Sequence, residues 1–244
     1  MEIADQGILV NATPYGDADM VARILTKNHG LHAGLIKGGN SRRKRSDFEI
    51  GGNYSLIWRA RLPENLGSFS LEPLGPLPSA RLLDDRERLI GLQSLCQLLS
   101  TCLTDREPLP SLYHAVETWL NQLEEETWVH TLALIELRLL GILGFGLDLS
   151  KCASTGQTDD LVYVSPRSGR AVSAVAGEPY KHKLLNLPKY LIGEHSGYLE
   201  EDARDALLLT GRFLNDRVYA ARNQELPWAR RALINRLSER IMTE

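Results

Sequence analysis

Five cations fall within nine residues at Lys37-Gly-Gly-Asn-Ser-Arg-Arg-Lys-Arg45. They are Lys37, Arg42, Arg43, Lys44 and Arg45, and no acid stands among them. Gly38, Gly39 and Asn40 exclude a regular strand or helix at that point, so the cluster is expected on a flexible loop. Such a loop suits a polyanion with a repeating phosphate backbone: each guanidinium offers a planar fork of donors, and each neutralised phosphate releases counterions. From Lys37 to Arg61 the excess continues, with Arg59 and Arg61 added and only Asp47 and Glu49 opposing. Solvated loops also carry basic runs of this length, so the cluster by itself names only a class of ligand.

Other chemistry finds little support. The chain has no Gly-x-x-x-x-Gly-Lys-Ser/Thr loop for nucleoside triphosphates, no His-Glu-x-x-His and no Gly-x-Ser-x-Gly. No catalytic residue or cofactor site is expected. The histidines (His29, His32, His114, His130, His182 and His195) are scattered. The pair His29/His32 sits at a turn, where a solvated or capping role is expected rather than a metal. Cys152 opens Cys-Ala-Ser-Thr-Gly156. A zinc ribbon needs paired cysteines, and a template set on Cys152 puts the partners at Thr155, Ser173 and Ala176. None of these is a thiolate, so a hairpin here would rest on packing by Leu161, Tyr163 and Val172, without metal. The aromatics Tyr15, Phe48, Tyr54 and Trp58 lie near the basic loop and are expected mainly in a core. Trp58 follows the inward period of its strand, which leaves Arg59 on the opposite face and Arg61 at the strand end.

The elements that must carry these residues change character along the chain. Residues 1–78 are expected as β structure. Apolar or alternating segments occur at Gly7–Thr13, Met20–Thr26, Leu31–Lys37, Tyr54–Ala60 and Ser68–Leu74, separated by turn chemistry. Five short strands in about 75 residues suggest a small barrel or sandwich. A five-stranded oligonucleotide-binding (OB) barrel fits, and a Tudor- or SH3-like barrel fits nearly as well. Pro73, Pro76 and Pro78 mark a boundary, after which helical periodicity takes over. Helices are expected over Arg81–Leu103, Ser111–Leu123 (with Ser111 as N-cap), Trp128–Leu143, Glu200–Tyr219 and Pro227–Ile241. Residues 147–179 form a hairpin-like island, and Leu184–Leu199 has no clear pattern. The later helices carry Arg204, Arg212, Arg217, Arg222, Arg230 and Arg231. That set is expected as a solvated face paired with Glu200, Glu201, Asp202, Asp205 and Asp216, although a cationic groove could also receive an acidic peptide.

Composition sets the frame. The 244 residues carry a formal net charge of −3, so anion binding must come from local charge separation. Three cysteines without framework spacing point to a reducing compartment. No signal peptide and no membrane-spanning apolar run is visible, and a cytoplasmic protein is expected.

The order of segments resembles the bacterial DNA repair and recombination mediator family RecO. The residues that carry the likeness are Tyr15-Gly-Asp-Ala-Asp19, Leu25-Thr-Lys-Asn-His-Gly30, and Ile36-Lys-Gly-Gly39 running into the basic loop and Ser46. Further on come Glu136 to Gly144 (Glu-Leu-Arg-Leu-Leu-Gly-Ile-Leu-Gly), Leu147-Asp-Leu149, Cys152-Ala153, and Ser165-Pro166 with Gly169. The likeness spans essentially the whole chain. It implies an α+β multi-domain protein: an N-terminal five-stranded OB barrel (1–78), then a helical domain in two parts (79–146 and 180–244) around a zinc-ribbon-like insert (147–179). Here the insert departs from the family pattern, having lost its metal ligands. The resemblance further implies binding of single- and double-stranded DNA, annealing of complementary strands, and help in loading RecA onto strands coated by single-stranded-DNA-binding protein. The partners it implies are RecR and the acidic C-terminal tail of that coating protein, with residence at the nucleoid. The DNA-binding residues expected on this chain are Lys37, Arg42, Arg43, Lys44, Arg45, Arg59 and Arg61, with no catalytic, cofactor or metal residue. A protein-interaction adaptor that binds acidic tails, with incidental DNA contact, is the second reading, and a hydrolase or transferase on an unrecognised site the third.

Overall fold

The computed structural model describes residues 1–62, 64–194 and 199–243, so His195 lies outside the described residues. The chain divides into two compact units, Met1–Glu124 and Glu125–Glu244.

The first unit begins with five strands: β1 (Glu2–Tyr15), β2 (Asp19–Thr26), β3 (Gly30–Ile36), β4 (Asn53–Arg59) and β5 (Ser68–Pro73). They close into a barrel in the order β1-β2-β3-β5-β4. Closure depends on the length of β1. Its first half pairs antiparallel with β4 (Glu2↔Arg59 to Ile8↔Asn53) and its second half with β2 (Gly7↔Thr26 to Tyr15↔Asp19), with an irregularity between Leu9 and Asn11. A parallel contact between β3 and β5 (Leu35↔Ser68, Ile36↔Phe69) completes the ring. This is the five-stranded OB arrangement. The period-2 pattern puts Met20, Ala22, Ile24, Tyr54, Leu56, Trp58 and Phe69 inside. Trp58 is 1% exposed and its Nε1–H donates to Ala33 O (3.0 Å) and Leu66 O (3.2 Å), so its polar atom is satisfied within the core.

Three helices complete this unit: α1 (Pro78–Arg81), α2 (Arg86–Cys102) and α3 (Pro110–Asn121). The single helix expected over Arg81–Leu103 is interrupted because Asp85 caps a new start, its carboxylate accepting the Arg88 N–H (2.9 Å). Pro110 takes the first position of α3 and Leu109 the cap, which leaves Ser111 inside the first turn. The α2–α3 connection grips the barrel. Arg106 N–H donates to Leu31 O (2.8 Å), Arg23 bonds Asp105 and Ser100 O, and a Cβ on Gly30 would lie 1.9 Å from Glu107 O.

The second unit contains α4 (Trp128–Ile142), β6 (Leu161–Val164), β7 (Ala171–Ser173), α5 (Ala174–Gly177), β8 (Leu185–Asn186), α6 (Glu200–Phe213) and α7 (Trp228–Thr243). The end of α4 is closed by Phe145 N–H to Leu140 O (2.8 Å) and Gly144 N–H to Gly141 O (3.1 Å), the bond pair of a Schellman cap. The strands form a small sheet in the order β7-β6-β8, its third strand coming from 185–186. The helix expected over Glu200–Tyr219 passes at Leu214 into a π-helical segment, Leu214–Tyr219. A fully buried ion pair ties three helices together: Arg230 donates to Glu136 Oε1 (2.6 Å) and Oε2 (3.0 Å) and to Leu207 O, while the Thr210 hydroxyl donates to Glu136. Among the described residues no helix is long and apolar enough to cross a membrane.

Candidate nucleic-acid interface

The basic segment leaves the barrel at the end of β3, beside the β1–β2 turn. Two hydrogen bonds stitch it to that turn: Gly38 N–H to Asp19 Oδ1 (2.7 Å) and Asn40 N–H to Ala18 O (2.8 Å). Gly38 adopts φ +70°, which a side chain would strain. The segment then folds into linked turns, a loop without regular strand or α-helix. The Ser41 hydroxyl donates to Gly38 O (2.7 Å), the N–H groups of Lys44 and Arg45 donate to Ser41 O (3.1 and 3.0 Å), and Arg45–Asp47 forms a 3-10 turn. From inside the barrel the Tyr54 hydroxyl holds the far end, donating to Asp47 O (3.0 Å) and accepting from Glu49 N–H (2.9 Å). Burial pushes the Tyr54 phenol up to about 12, so it keeps its proton and remains a donor.

The backbone turns leave the cations outside. Lys37, Arg42, Arg43, Lys44, Arg45 and Arg61 are exposed, and none has an ion-pair partner among the described residues. Of the two acids in the stretch, Glu49 is engaged elsewhere, accepting from Ser79 N–H (3.0 Å) and Oγ (2.6 Å). A groove of about 440 Å³ runs along this rim, lined by Lys37, Lys44, Phe48, Ser68, Ser70 and Leu71 among others. Arg59 joins it by register. It faces Ser68 across β4–β5, Ser68 faces Leu35 on β3, and Lys37 lies two residues further along the same outward side. Lys37, Lys44 and Arg59 therefore gather around the outer face of β5. Arg42, Arg43 and Arg45 project from the turns, and Arg61 lies past the end of β4.

Arg59 differs from the rest because β1 pairs with β4. Its Nε donates to Glu2 Oε2 at 2.8 Å, and this bond, with the attraction of the charge, holds the Glu2 carboxyl below the usual carboxylate range. Both side chains are more than half exposed, so the pair is weak and exchangeable. Among the aromatics, Tyr54 and Trp58 are buried, as the period of their strand suggests, and Phe48, just past the 3-10 turn, is half-buried against the core. Tyr15 is not in the core. It is 58% exposed at the tip of β1. The signal available in the sequence was its place immediately before Gly16-Asp17, at the mouth of a turn.

The other candidate centres are occupied by their own contacts. Cys152 is buried, and its Sγ accepts from Ser173 N–H (3.3 Å) and Ser173 Oγ (3.4 Å). Burial raises its thiol, but the hydrogen bonds from Ser173 and Thr155 outweigh burial and bring it down to about 6. Zinc takes four N, S or O ligands, and Thr155, Ser173 and Ala176 do not complete such a set, so these residues do not fit a zinc ion. Among the described residues no group of three or more His, Cys, Asp or Glu could hold a metal. His29 bonds Asp5 (2.7 Å), and His32 is buried edge-on to Trp58. The arginines of the second unit are largely neutralised: Arg204 pairs with Asp205 (2.8 Å), Arg212 with Asp216 (2.7 Å) and Arg231 with Glu225 (2.7 Å), while Arg217 donates to Arg167 O. Arg230, expected on a solvated face, is 1% exposed.

Comparison with known proteins agrees with this architecture. The family model described as "Recombination protein O N terminal" matches residues 1–76, and "Recombination protein O C terminal" matches residues 83–225. The chain is similar to the DNA repair protein RecO of Rhodospirillum centenum, with 44% identity over 238 residues, 97% of this chain and 94% of that protein. It is similar to the DNA repair protein RecO of Caulobacter vibrioides NA1000, with 42% identity over 240 residues and 98% of both chains. The protein of the same name from Methylocella silvestris is 40% identical over 242 residues, 98% of this chain and 97% of that protein. Matched in both halves, and by relatives at this identity over nearly its whole length, the chain belongs to the RecO family of DNA repair and recombination proteins.

Proposed function

We propose that this protein is a non-enzymatic recombination mediator that holds DNA on the rim of its OB barrel. Phosphates sit against Lys37, Arg42, Arg43, Lys44, Arg45 and Arg61, with Arg59 joining when it exchanges Glu2 for a phosphate. Contacts of this kind position a strand without reading its sequence. Two complementary strands brought to one cationic surface repel each other less, which is the physical basis for annealing. The wider role is loading of RecA onto single strands coated by single-stranded-DNA-binding protein, together with RecR and through the acidic tail of the coating protein, in the cytoplasm at the nucleoid. In this reading residues 1–78 are the DNA-binding domain, 79–146 and 180–244 the helical domain, and 147–179 a ribbon-like insert held by hydrogen bonds in place of metal.

The observation that carries the proposal is the contrast in charge pairing. Among the described residues the rim cations other than Arg59 have no carboxylate partner, whereas most arginines of the second unit already have one. An adaptor for acidic tails would need free cations beside apolar surface on the helices, and the pairing there weighs against it. Fluorescence anisotropy with a labelled single-stranded oligonucleotide and with an acidic peptide, across a salt series, separates the two. Oligonucleotide affinity is expected to fall steeply with salt, in proportion to the phosphates contacted. No oligonucleotide binding at low salt, together with tight peptide binding, would overturn the proposal.

A further inference from the structure

We infer that Tyr15 is a base-stacking residue that makes the barrel rim favour single-stranded over duplex DNA. The inference rests on the rim being the DNA surface. Tyr15 ends β1 opposite Asp19 and is 58% exposed, while the aromatic rings inside the barrel, Tyr54, Trp58 and Phe69, are 0%, 1% and 6% exposed. Its hydroxyl and ring have no partner among the described residues. An exposed tyrosine at a turn carries apolar area that nothing covers. Here that turn is fixed to the cationic segment, because Asp19 Oδ1 accepts from Gly38 N–H (2.7 Å) and Ala18 O accepts from Asn40 N–H (2.8 Å). The ring and Lys37 thus belong to one hydrogen-bonded edge, with only the short β1–β2 turn and the end of β3 between them.

A strand whose phosphates lie along Lys37 and Lys44 carries its bases within reach of that edge. Every base has a π-face, so stacking on a tyrosine is tolerant of sequence. In a duplex those faces are already stacked on one another, and the ring gains nothing. Stacking also leaves the base-pairing edge free. A base held this way can meet its complement, and once the duplex forms its face returns to its neighbours and the ring lets go.

The test uses the full-length protein, its Tyr15→Ala and Tyr15→Phe variants, and three labelled probes of equal length: oligo-dT, an abasic oligodeoxynucleotide and a duplex. Stacking on one ring is worth about five- to tenfold in affinity at an exposed position, near the lower end of the usual range. Tyr15→Ala is expected to lose that factor on oligo-dT and to bind the abasic strand and the duplex as the parent does, with an unchanged salt slope. Tyr15→Phe is expected to bind all three like the parent. Oligo-dT binding unchanged in Tyr15→Ala, or an equal loss on all three probes, would overturn the inference. An Arg42/Arg43/Lys44/Arg45→Ala variant distinguishes the two failures. If it binds oligo-dT as tightly as the parent, the rim reading itself fails. If it binds weakly while Tyr15→Ala is unaffected, only the stacking role is lost.

Discussion

Replacing Arg42, Arg43, Lys44 and Arg45 together by alanine removes four rim cations that have no carboxylate partner among the described residues. Each phosphate neutralised on a single strand contributes about 0.7 to the slope of log affinity against log salt, so four contacts contribute about 2.8. Between about 50 and 200 mM salt, a fourfold change, that difference corresponds to about a fiftyfold change in affinity ratio. The parent and the variant should therefore differ most at low salt and converge as salt rises. The control is Arg204/Arg212/Arg231→Ala, which removes three arginines already paired with Asp205, Asp216 and Glu225. Its slope should match the parent's, because arginines already paired in this way add little free charge. Anisotropy with a labelled oligo-dT across the salt series reads both slopes, and circular dichroism verifies folding. A folded loop variant with the parental slope, or a control variant that loses more slope than the loop variant, would refute the charge-pairing argument.

Glu2→Ala removes the carboxylate held 2.8 Å from Arg59, so Arg59 no longer gives up a partner on binding and affinity for oligo-dT should rise; an unchanged affinity would place Arg59 outside the interface. In the second unit, Arg230→Met or Glu136→Leu alone strands a buried charge and should cost about 3–5 kcal/mol in chemical denaturation. The double variant should recover most of that loss, and equal losses in single and double variants would contradict the burial argument. Cys152 sets a pH dependence. Its thiol lies near 6 when folded and near 9 when unfolded, so its contribution is complete above about 9 and fades as pH falls through about 6. Thermal stability should rise with pH across that window in the parent and rise less in Cys152→Ala; identical profiles would remove the hydrogen-bonded sulfur from the account.

Strand β4 was the most legible because only one of its faces is buried. Tyr54, Leu56 and Trp58 alternate with Ser55, Ile57 and Arg59, and that period fixed β4 to within a residue. Closure was less legible. The double pairing of β1 and the parallel contact of β3 with β5 join segments far apart in sequence, and local periodicity carries no record of them. Composition alone therefore left Tudor- and SH3-like barrels open beside the OB form. The break between α1 and α2 was hidden for a different reason. Leu82, Leu83 and Leu89 prolong an apolar pattern, yet Leu83 is 78% exposed and Asp85 restarts the helix with its side chain. The two residues of β8 have no period to detect, because edge pairing with β6 alone makes them a strand.

The candidate site divides along the same line. That Lys37 to Arg45 is cationic is plain from the sequence, since five like charges in one short loop cannot all face a core. Which arginines remain free is decided by strand register and helix packing. Arg59 meets Glu2, 57 positions away, only because β1 runs antiparallel to β4. Arg230 lies next to Arg231 on one helix, but one helical step turns it inward to Glu136 while its neighbour stays in solvent. The loop escapes such pairing because its own backbone closes it. Gly38, Asn40, Ser41 and Tyr54 consume the local donors and acceptors in turns, and Glu49 is drawn off to Ser79. With Asp19 held by Gly38 and Glu49 by Ser79, and no ion pair to the loop cations among the described residues, a phosphate arriving there displaces water and counterions rather than an existing ion pair. Arg59 is the exception, and the strength of its bond to Glu2 sets how much of the rim is open before DNA arrives.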